Sequence, residues 1–359
     1  MNTLAVRADA VGLRAADGST VHLRFADSRR RCDCAYLVGS TPGHAVERVT
    51  TTRALCRHAQ RRAATLALSA AGAGGDVAAV EDRAARTREW LREHAVSLLL
   101  SWPALSGDCP EVALPRALLA SDADVTLEHG PIRAILEETV LGMPASAFLA
   151  LDREGLGDWM GAGGTATARR FRRASALRDA RVPVRGLPQM DRWTASDARQ
   201  LARMMATAPM FSLSPRWRGR CAEVGAISRQ KERPLVGAWL ADHGAGCGVR
   251  LLARLVELAL AASSRALPLS ERVWRLPGDS ALAVVETARG PLLHWTRLQD
   301  GRVHDYRVVA PTEWNFQPGG VLARALATLP RQGAFLPAAR RWMHALDPCE
   351  DCTLEVGDA

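Results

Sequence analysis

Lysine, tyrosine and long apolar runs are scarce in this chain of 359 residues. Lys231 is the only lysine, and only two tyrosines occur. No stretch of 18 or more residues is apolar and free of charge, which argues against a membrane span. The N-terminal segment MNTLAVRADAVGLRAADG has no apolar signal core. Nothing therefore predicts export, and we expect a cytoplasmic protein.

The formal net charge of +9 raises the question of a nucleic-acid partner. Almost every cation is arginine in an alanine-rich chain, which is more typical of biased coding composition than of a binding patch. The densest clusters, at 29–31 and 169–173, are short and far apart. We expect each of them to be a solvated face or a contact for an acidic protein, and we expect no nucleic-acid partner.

The eight cysteines favour free thiols and metal ligands over a disulfide framework in a chain without an export signal. Cys109, Cys221 and Cys247 have no metal-like spacing and are predicted to be core or half-buried thiols. Cys32 and Cys34 form a CxC pair beside a predicted strand, and their role stays open.

A CxxC pair near the C-terminus is the strongest local signal. Asp347 is a good N-cap and Pro348 favours a helical first turn. Such a turn would place Cys349 and Cys352 on one side, within reach of one metal ion, and a helix N-terminus would lower the thiol pKa. The alternative is a pair of ordinary terminal thiols.

Hydrophobic periodicity predicts a mostly helical chain with small antiparallel sheets. Hairpins are expected around Asp17-Gly18 and Asp300-Gly301, which are strong turn pairs. The glycine-rich segment 155–190 is expected to be a loop-rich connector, and its glycines do not form a phosphate loop. Helices are predicted at about 53–71, 80–100, 131–141, 196–208, 234–242, 248–264, 321–329 and 338–346.

We predict one domain over 1–359. It comprises an N-terminal hairpin and helices at 10–103, a loop-rich middle at 104–195, and C-terminal helices with a hairpin and the cysteine motif at 196–359. The helix predicted at 80–100 is expected to face its charges outward and to stop at Trp102-Pro103.

Three segments in order resemble the large subunit of nickel–iron hydrogenases. They are ETARGPLLHW from Glu286, YRVVAPTEWN from Tyr306 and DPCEDC from Asp347. Three ordered motifs are far more specific than one CxxC pair. The resemblance implies an α+β, mainly α-helical fold. It would have a shortened large-subunit-like helical core with small antiparallel β-hairpins.

The family's N-terminal motif, R-x-C-G-x-C-x-x-x-H, has an incomplete counterpart here. Cys56 matches its second cysteine, whereas Arg53 stands in place of the first and Gln60 in place of the histidine. At the other end, Glu355 replaces the histidine that follows the terminal cysteines, and only four residues follow it.

The resemblance implies a metal site that has lost one ligand. The iron-bridging thiolates would be Cys56 and Cys352, and Cys349 would remain of the two nickel-only ligands. Since a guanidinium cannot replace the thiolate lost at Arg53, no complete nickel–iron centre is expected. An iron fragment that needs two thiolates would still be held.

The resemblance also assigns residues around the iron. Arg289 corresponds to the arginine that overhangs the iron's cyanide ligands, to which its guanidinium can donate hydrogen bonds. Pro311 and Thr312 correspond to the loop that holds the other cyanide, with the Thr312 hydroxyl as donor. His294 is expected to support the fold.

These departures resemble the hydrogenase-like accessory proteins of the HupK/HoxV type. That likeness implies a maturation scaffold, not an enzyme, that binds an Fe(CN)2(CO) fragment transiently and passes it to the large-subunit precursor. A small maturation chaperone and an iron–sulfur maturation protein are the other expected partners. Because so little chain follows Glu355, we expect the site to stay open.

Three alternatives remain. The chain could be a metal-free mimic of the large subunit that acts as an interaction or assembly factor for maturation chaperones. An active hydrogenase would need another residue to replace the missing thiolate, and none is apparent. A zinc site on Cys349, Cys352 and a further thiol is the last alternative.

Overall fold

The computed structural model describes residues 10–14, 20–25, 34–52, 56–74, 83–120, 130–177, 179–208, 210–263, 267, 269–329, 335–349 and 352–356. Helices dominate these ranges, as expected. In chain order they are α1 (Pro42–Thr52), α2 (Arg57–Ala71), α3 (Arg83–Val96), α4 (Trp102–Ser106), α5 (Ala113–Ala120), α6 (Pro131–Ile135), α7 (Ala145–Leu149), α8 (Arg153–Ala162), α9 (Ala166–Ser175), α10 (Ala195–Thr207), α11 (Ala226–Gln230), α12 (Pro234–His243), α13 (Cys247–Ala262), α14 (Pro311–Phe316), α15 (Val321–Leu326) and α16 (Phe335–Leu346).

The described strands form two antiparallel sheets. One has the order β1-β2-β7 and the other the order β3-β4-β5-β6. The predicted α+β, mainly helical class with small antiparallel sheets is confirmed. The strands are β1 (Ala10–Arg14), β2 (Thr20–Phe25), β3 (Glu271–Leu276), β4 (Ser280–Thr287), β5 (Gly290–Gln299), β6 (Arg302–Val309) and β7 (Cys352–Val356).

The predicted apolar helix at 248–264 is α13, and every residue of it is buried. It packs against α3, α7, α9, α11, α12 and α16, so no face meets water. Its charged residues are therefore paired; Arg250, for example, binds both carboxylate oxygens of Glu223 at 2.7 and 2.9 Å. No helix in the described ranges is both long and apolar enough to cross a membrane.

The four-stranded sheet is covered on both faces. Ala281 and Val285 of β4 pack in a cluster with α2, whereas Leu282 and Val284 pack in a cluster with α10. Successive side chains of a strand point to opposite faces, so burial on both sides explains why all of β4 is buried. This sheet supports the turn between β4 and β5.

Both predicted hairpins are confirmed. Strands β5 and β6 meet at Asp300-Gly301, where both residues have positive φ, 50° and 71°. This is the backbone that a two-residue hairpin turn requires. Strands β1 and β2 also pair, although their turn at Asp17-Gly18 lies outside the described residues.

The prediction of a loop-rich connector at 155–190 is wrong, because most of its first half is α8 and α9. Asp152 and Thr165 cap these helices by accepting from the N–H groups of Gly155 and Ala168, at 2.9 and 3.0 Å. The buried Phe171 then packs edge-on against Trp102, with ring centroids 4.9 Å apart. Aromatic burial and two good caps outweigh the glycine content.

The helix predicted to stop at Trp102-Pro103 continues past it. A π-helical turn, Ser97–Ser101, joins α3 to α4. Pro103 lies in the first turn of α4, where a missing N–H costs little.

The arginine cluster at 169–173 is a solvated face only in part, because Arg169, Arg172 and Arg173 are exposed whereas Arg170 is not. Arg170 is buried and donates to Glu111, to Asp108 at 3.3 Å and to the Cys109 carbonyl oxygen at 3.1 Å. Arg173 also pairs with Asp108. The cluster therefore anchors the 108–111 segment within the chain. The cluster at 29–31 lies outside the described residues.

Candidate metal centre

Cys56 immediately precedes α2. Its φ of 56° places it in the left-handed region, and its carbonyl accepts the first helical bond from Gln60 N at 2.8 Å. The side chain is buried, and burial raises the pKa of the thiol well above its usual value, although nearby Arg289 opposes the shift. Arg53 lies outside the described residues.

Glu89 closes the N-terminus of α2 in place of a capping side chain. Its carboxylate accepts from His58 N at 2.8 Å and from Ala59 N at 3.2 Å. Burial raises the pKa of Glu89 to about 6. Glu89 and Glu93 lie one turn apart and are both buried, so the expectation that α3 faces its charges outward is wrong for them. Two glutamates four residues apart within an apolar helix face are the signal that could have revealed them.

Arg289 lies at the tip of the β4–β5 hairpin. The hydroxyl of Thr287 accepts from Arg289 N at 3.2 Å and donates to Gly290 O at 2.8 Å, which fixes the turn. Arg229 donates to two carbonyl oxygens of the same turn, at 3.2 Å to Thr287 O and 2.8 Å to Ala288 O. Because its carbonyl groups are satisfied in this way, the hairpin tip can be buried.

The Arg289 guanidinium joins three segments. Its Nε donates to Asp347 O at 3.1 Å, and its Nη1 pairs with Glu93 and lies 3.7 Å from Cys56 Sγ. Burial opposes the charge, but Asp347 and Glu93 raise the pKa of Arg289 well above its usual value, so it is a cation. Its Nη2 makes no hydrogen bond to any residue that the structure describes, which leaves it able to donate to a ligand.

Asp347 ends α16 instead of starting a helix. Its φ is 52°, and its N–H donates to the carbonyls of Met343 and His344, both at 3.0 Å. Its carboxylate lies 2.7 Å from Arg254 Nη1 and 3.1 Å from Arg289 Nε. Although burial would raise it, these two guanidiniums lower the pKa of Asp347. The prediction of a helical turn from Pro348, with Cys349 near a helix N-terminus, is therefore wrong.

Thr312 and Cys349 are in direct contact. The Thr312 hydroxyl accepts from Cys349 N at 2.9 Å and lies 2.7 Å from Cys349 Sγ. Pro311, at the first helical position, begins α14 and places Thr312 facing the chain after α16. Asn315 ties α14 down by exchanging two hydrogen bonds with the backbone of Val224, at 3.0 and 3.2 Å.

Cys352 starts strand β7, where it pairs in register with Phe25 of β2. Its Sγ lies 3.2 Å from Met343 Sδ. Strand pairing with a distant hairpin replaces the helical turn expected for Cys349 and Cys352. Glu355 is opposite His22 in the same ladder. Residues 352–356 are thus held in a sheet.

Two other residues at motif positions support the fold. His294 is buried, with Nδ1 2.7 Å from Tyr306 Oη and Nε2 2.9 Å from Gln60 Oε1. Gln60, which stands where the family has histidine, thus binds His294. The expected supporting role of His294 agrees with this contact. Cys247 is buried and Cys221 half-buried as expected, but Cys109 is exposed.

The described geometry brings Cys56, Arg289, Thr312 and Cys349 to one place, with Pro311 behind Thr312. The Arg289 guanidinium donates to Asp347 O and lies 3.7 Å from Cys56 Sγ, so the chain that leads to Cys349 comes close to Cys56. The described residues contain no preassembled group of three or more His, Cys, Asp or Glu side chains that could hold a metal ion. Two soft thiolates beside a hydrogen-bond donor suit an iron that brings its own ligands.

The comparisons with known proteins concern the same part of the chain. A family model described as nickel-dependent hydrogenase matches residues 252–355, which contain Arg289, Thr312 and both terminal cysteines. The hydrogenase expression/formation protein HoxV of Cupriavidus necator is 31% identical over 340 residues, 85% of each chain. The chain belongs to the HoxV/HupK family.

Other members and relatives extend the comparison. The hydrogenase expression/formation protein HupK of Azotobacter vinelandii is 29% identical over 87% of each chain. The uptake hydrogenase large subunit of Afipia carboxidovorans is 28% identical over 211 residues, 45% of this chain and 35% of that one. In fold, the nickel–iron–selenium hydrogenase of Desulfovibrio vulgaris Hildenborough is similar over 95% of this HoxV/HupK-type chain, with a TM-score of 0.53 and 15% identity.

Proposed function

We propose that this protein is a non-catalytic hydrogenase maturation scaffold. Membership in a family whose curated members are named hydrogenase expression/formation proteins supports a role in maturation. The large-subunit-like fold supports the further proposal that it handles a part of the hydrogenase metal centre.

The cargo is an Fe(CN)2(CO) fragment held by the thiolates of Cys56 and Cys352, with Cys349 nearby. The observation that carries this proposal is the buried Arg289 guanidinium, 3.7 Å from Cys56 Sγ. Buried N–H donors beside a soft thiol suit a metal fragment whose cyanides carry negative charge. The Thr312 hydroxyl, 2.7 Å from Cys349 Sγ, is a second donor at the same place.

The protonation of Cys56 suits a temporary hold. Metal binding must displace the thiol proton, and burial makes the free thiolate unfavourable at this position. The thiol is therefore re-protonated readily once the fragment leaves. A site that binds iron but is stable in the protonated form is what transfer to a large-subunit precursor requires.

Access to the site is proposed from the side of α3. A cavity of about 570 Å³ is lined by Arg57, His58, Glu89 and two further arginines, Arg88 and Arg92. Cations at its walls favour an anionic fragment. We propose that a small maturation chaperone and an iron–sulfur maturation protein deliver the fragment.

The test is infrared spectroscopy with metal analysis on protein purified without oxygen from cells that make the maturation machinery. We expect cyanide and carbonyl stretching bands that disappear in Cys56→Ser and in Cys352→Ser. Cys109→Ser is the matched control, because this thiol is exposed and remote in sequence from the motifs. Iron-free protein, or bands that survive both substitutions, would contradict the proposal, and stoichiometric nickel with hydrogen uptake would show an enzyme instead.

One observation favours a metal-free assembly factor as the second candidate. Arg289 and Arg254 are balanced by Glu93 and Asp347, so the cluster is neutral and stable without metal. Under this alternative, the protein would bind maturation chaperones through its large-subunit-like surface. Unchanged chaperone binding by a Cys56→Ser/Cys352→Ser variant, together with absence of iron from the wild type, would establish it.

A further inference from the structure

A large cavity that Ser228 and Arg229 of α11 help to line is rich in cations. Its volume is about 1190 Å³, and Glu232 is its one acidic lining residue within the described chain. Arg218 and Arg229 at its wall are paired with Asp197 and with Glu257. Six further cations complete the arginine cavity: Arg185, Arg192, Arg216, Arg220, Lys231 and Arg324.

None of these six cations forms an ion pair with a carboxylate among the residues that the structure describes. Burial and the charge of Arg185 lower the pKa of Arg324, which indicates that like charges face each other there. Such an arrangement is unfavourable in isolation and is relieved when an anion binds.

The backbone presents the cations on a rigid support. Trp217 and Arg220 exchange two hydrogen bonds of 2.9 Å across a tight turn, in which Arg218 and Gly219 have φ of 47° and 80°. The turn thereby holds Arg216 and Arg220 at the cavity wall, where both are exposed. A backbone that is already in place loses less entropy on binding.

We propose that the arginine cavity binds an acidic segment of a partner protein. The cavity exceeds the range of about 300–1,000 Å³ that is usual for small ligands, and its cations come from several separate segments of the chain. Such an array matches carboxylates spaced along a peptide, which clusters of arginine recognise in other proteins. This inference is independent of the iron proposal.

The surroundings of Trp217 argue against single-stranded nucleic acid. Its ring packs against Trp193, with centroids 4.5 Å apart, and Arg218 lies over it at 5.4 Å. Since base binding by such proteins relies on free aromatic faces, an occupied ring is a poor platform for it.

The experiment uses fluorescence anisotropy with a labelled peptide rich in aspartate and glutamate and the full chain. We expect saturable binding that weakens with salt and that falls about tenfold in Arg216→Gln/Arg220→Gln, since two exposed ionic contacts are lost. The matched control is Arg199→Gln/Arg203→Gln, which removes the same charge from the exposed face of α10 outside the cavity.

Equal weakening in the control pair would overturn the proposal, because binding would then depend on net charge alone. Absence of binding would also overturn it. Tighter binding of inorganic tripolyphosphate, lost in Arg216→Gln/Arg220→Gln, would assign the cavity to a small anion instead. Tighter binding of a single-stranded oligonucleotide would assign it to nucleic acid. The infrared bands expected for the iron fragment should be unchanged in Arg216→Gln/Arg220→Gln, so the two proposals fail separately.

Discussion

The candidate metal centre and the arginine cavity differ in how their positive charges are balanced. At the metal centre, Arg289 and Arg254 are buried and share the carboxylates of Glu93 and Asp347. In the cavity, the exposed Arg216 and Arg220 have no carboxylate partner among the described residues. A buried guanidinium must be paired because desolvation is costly, whereas an exposed one is hydrated. Paired arginines therefore hold this fold together, and unpaired ones remain available to a partner.

The largest effect on stability is expected at Arg250 and Glu223, which form a fully buried ion pair. Arg250→Met leaves the Glu223 carboxylate buried without a partner, and we expect a loss of about 3–5 kcal/mol in the free energy of unfolding. Arg216→Met in the cavity should change it by no more than about 0.5 kcal/mol. Urea titration of both variants measures the difference.

If Arg250→Met does not fold, the double variant Arg250→Met/Glu223→Leu resolves the question. Removal of both charges should restore much of the stability, since no buried ion is left unpaired. Equal stability of Arg250→Met and Arg216→Met would contradict the distinction between the two groups of arginines.

A substitution at Gly290, the residue after Arg289, should reduce stability nearly as much as Arg250→Met. Gly290 has φ of 129°, and an added Cβ would lie 2.7 Å from Val224 side-chain atoms. We expect Gly290→Ala to cost about 2–3 kcal/mol through strain and overpacking. Gly301 also has positive φ but has no atom within 4 Å of the same position, so Gly301→Ala should cost only about 1 kcal/mol. Thermal unfolding measures both variants. A smaller loss of stability for Gly290→Ala than for Gly301→Ala would show that the tip of the β4–β5 hairpin is loosely held.

The free energy of unfolding should also depend on pH, through the side chain of His344. Burial lowers the pKa of His344 from 6.5 to about 4, and its Nε2 is buried without a partner among the described residues. The unfolded chain binds a proton at higher pH than the folded chain, so this histidine removes stability as pH falls from 6.5 towards 4. Relative to His344→Gln, the wild type should lose about 1–2 kcal/mol between pH 7 and pH 5. Parallel stability curves for the two proteins would refute this assignment.

The smallest effect is expected in the cavity. Arg216→Gln/Arg220→Gln should leave the free energy of unfolding within about 0.5 kcal/mol of wild type, with any change towards higher stability at low salt. Fewer like charges would then repel one another, and the gain should vanish at high salt. A clear destabilisation, measured by urea titration at both salt concentrations, would mean that these arginines support the fold.

Much of the helical framework could be predicted from sequence. Periodicity locates α10, α12, α13 and α16 within a few residues, because each has an apolar face that repeats at helical spacing. Strand β3 and the short α14 were not predicted, since their local patterns are weak and partners distant in sequence stabilise them. The family resemblance singled out Arg289, but its contacts with Glu93 and Asp347 were not foreseen.

The sequence alone determined the family resemblance, the spacing of the cysteine motifs, the arginine between β4 and β5, and the mainly helical class. These follow from residue type and short-range periodicity. Only the tertiary structure decided that Glu93 faces inward, that Asp347 ends a helix and that Cys352 begins a strand. Strand β7 forms because β2, more than 300 residues earlier, offers an edge for pairing. The pKa of the buried Asp347 is lowered because guanidiniums from other elements reach it, and no local pattern contains that information.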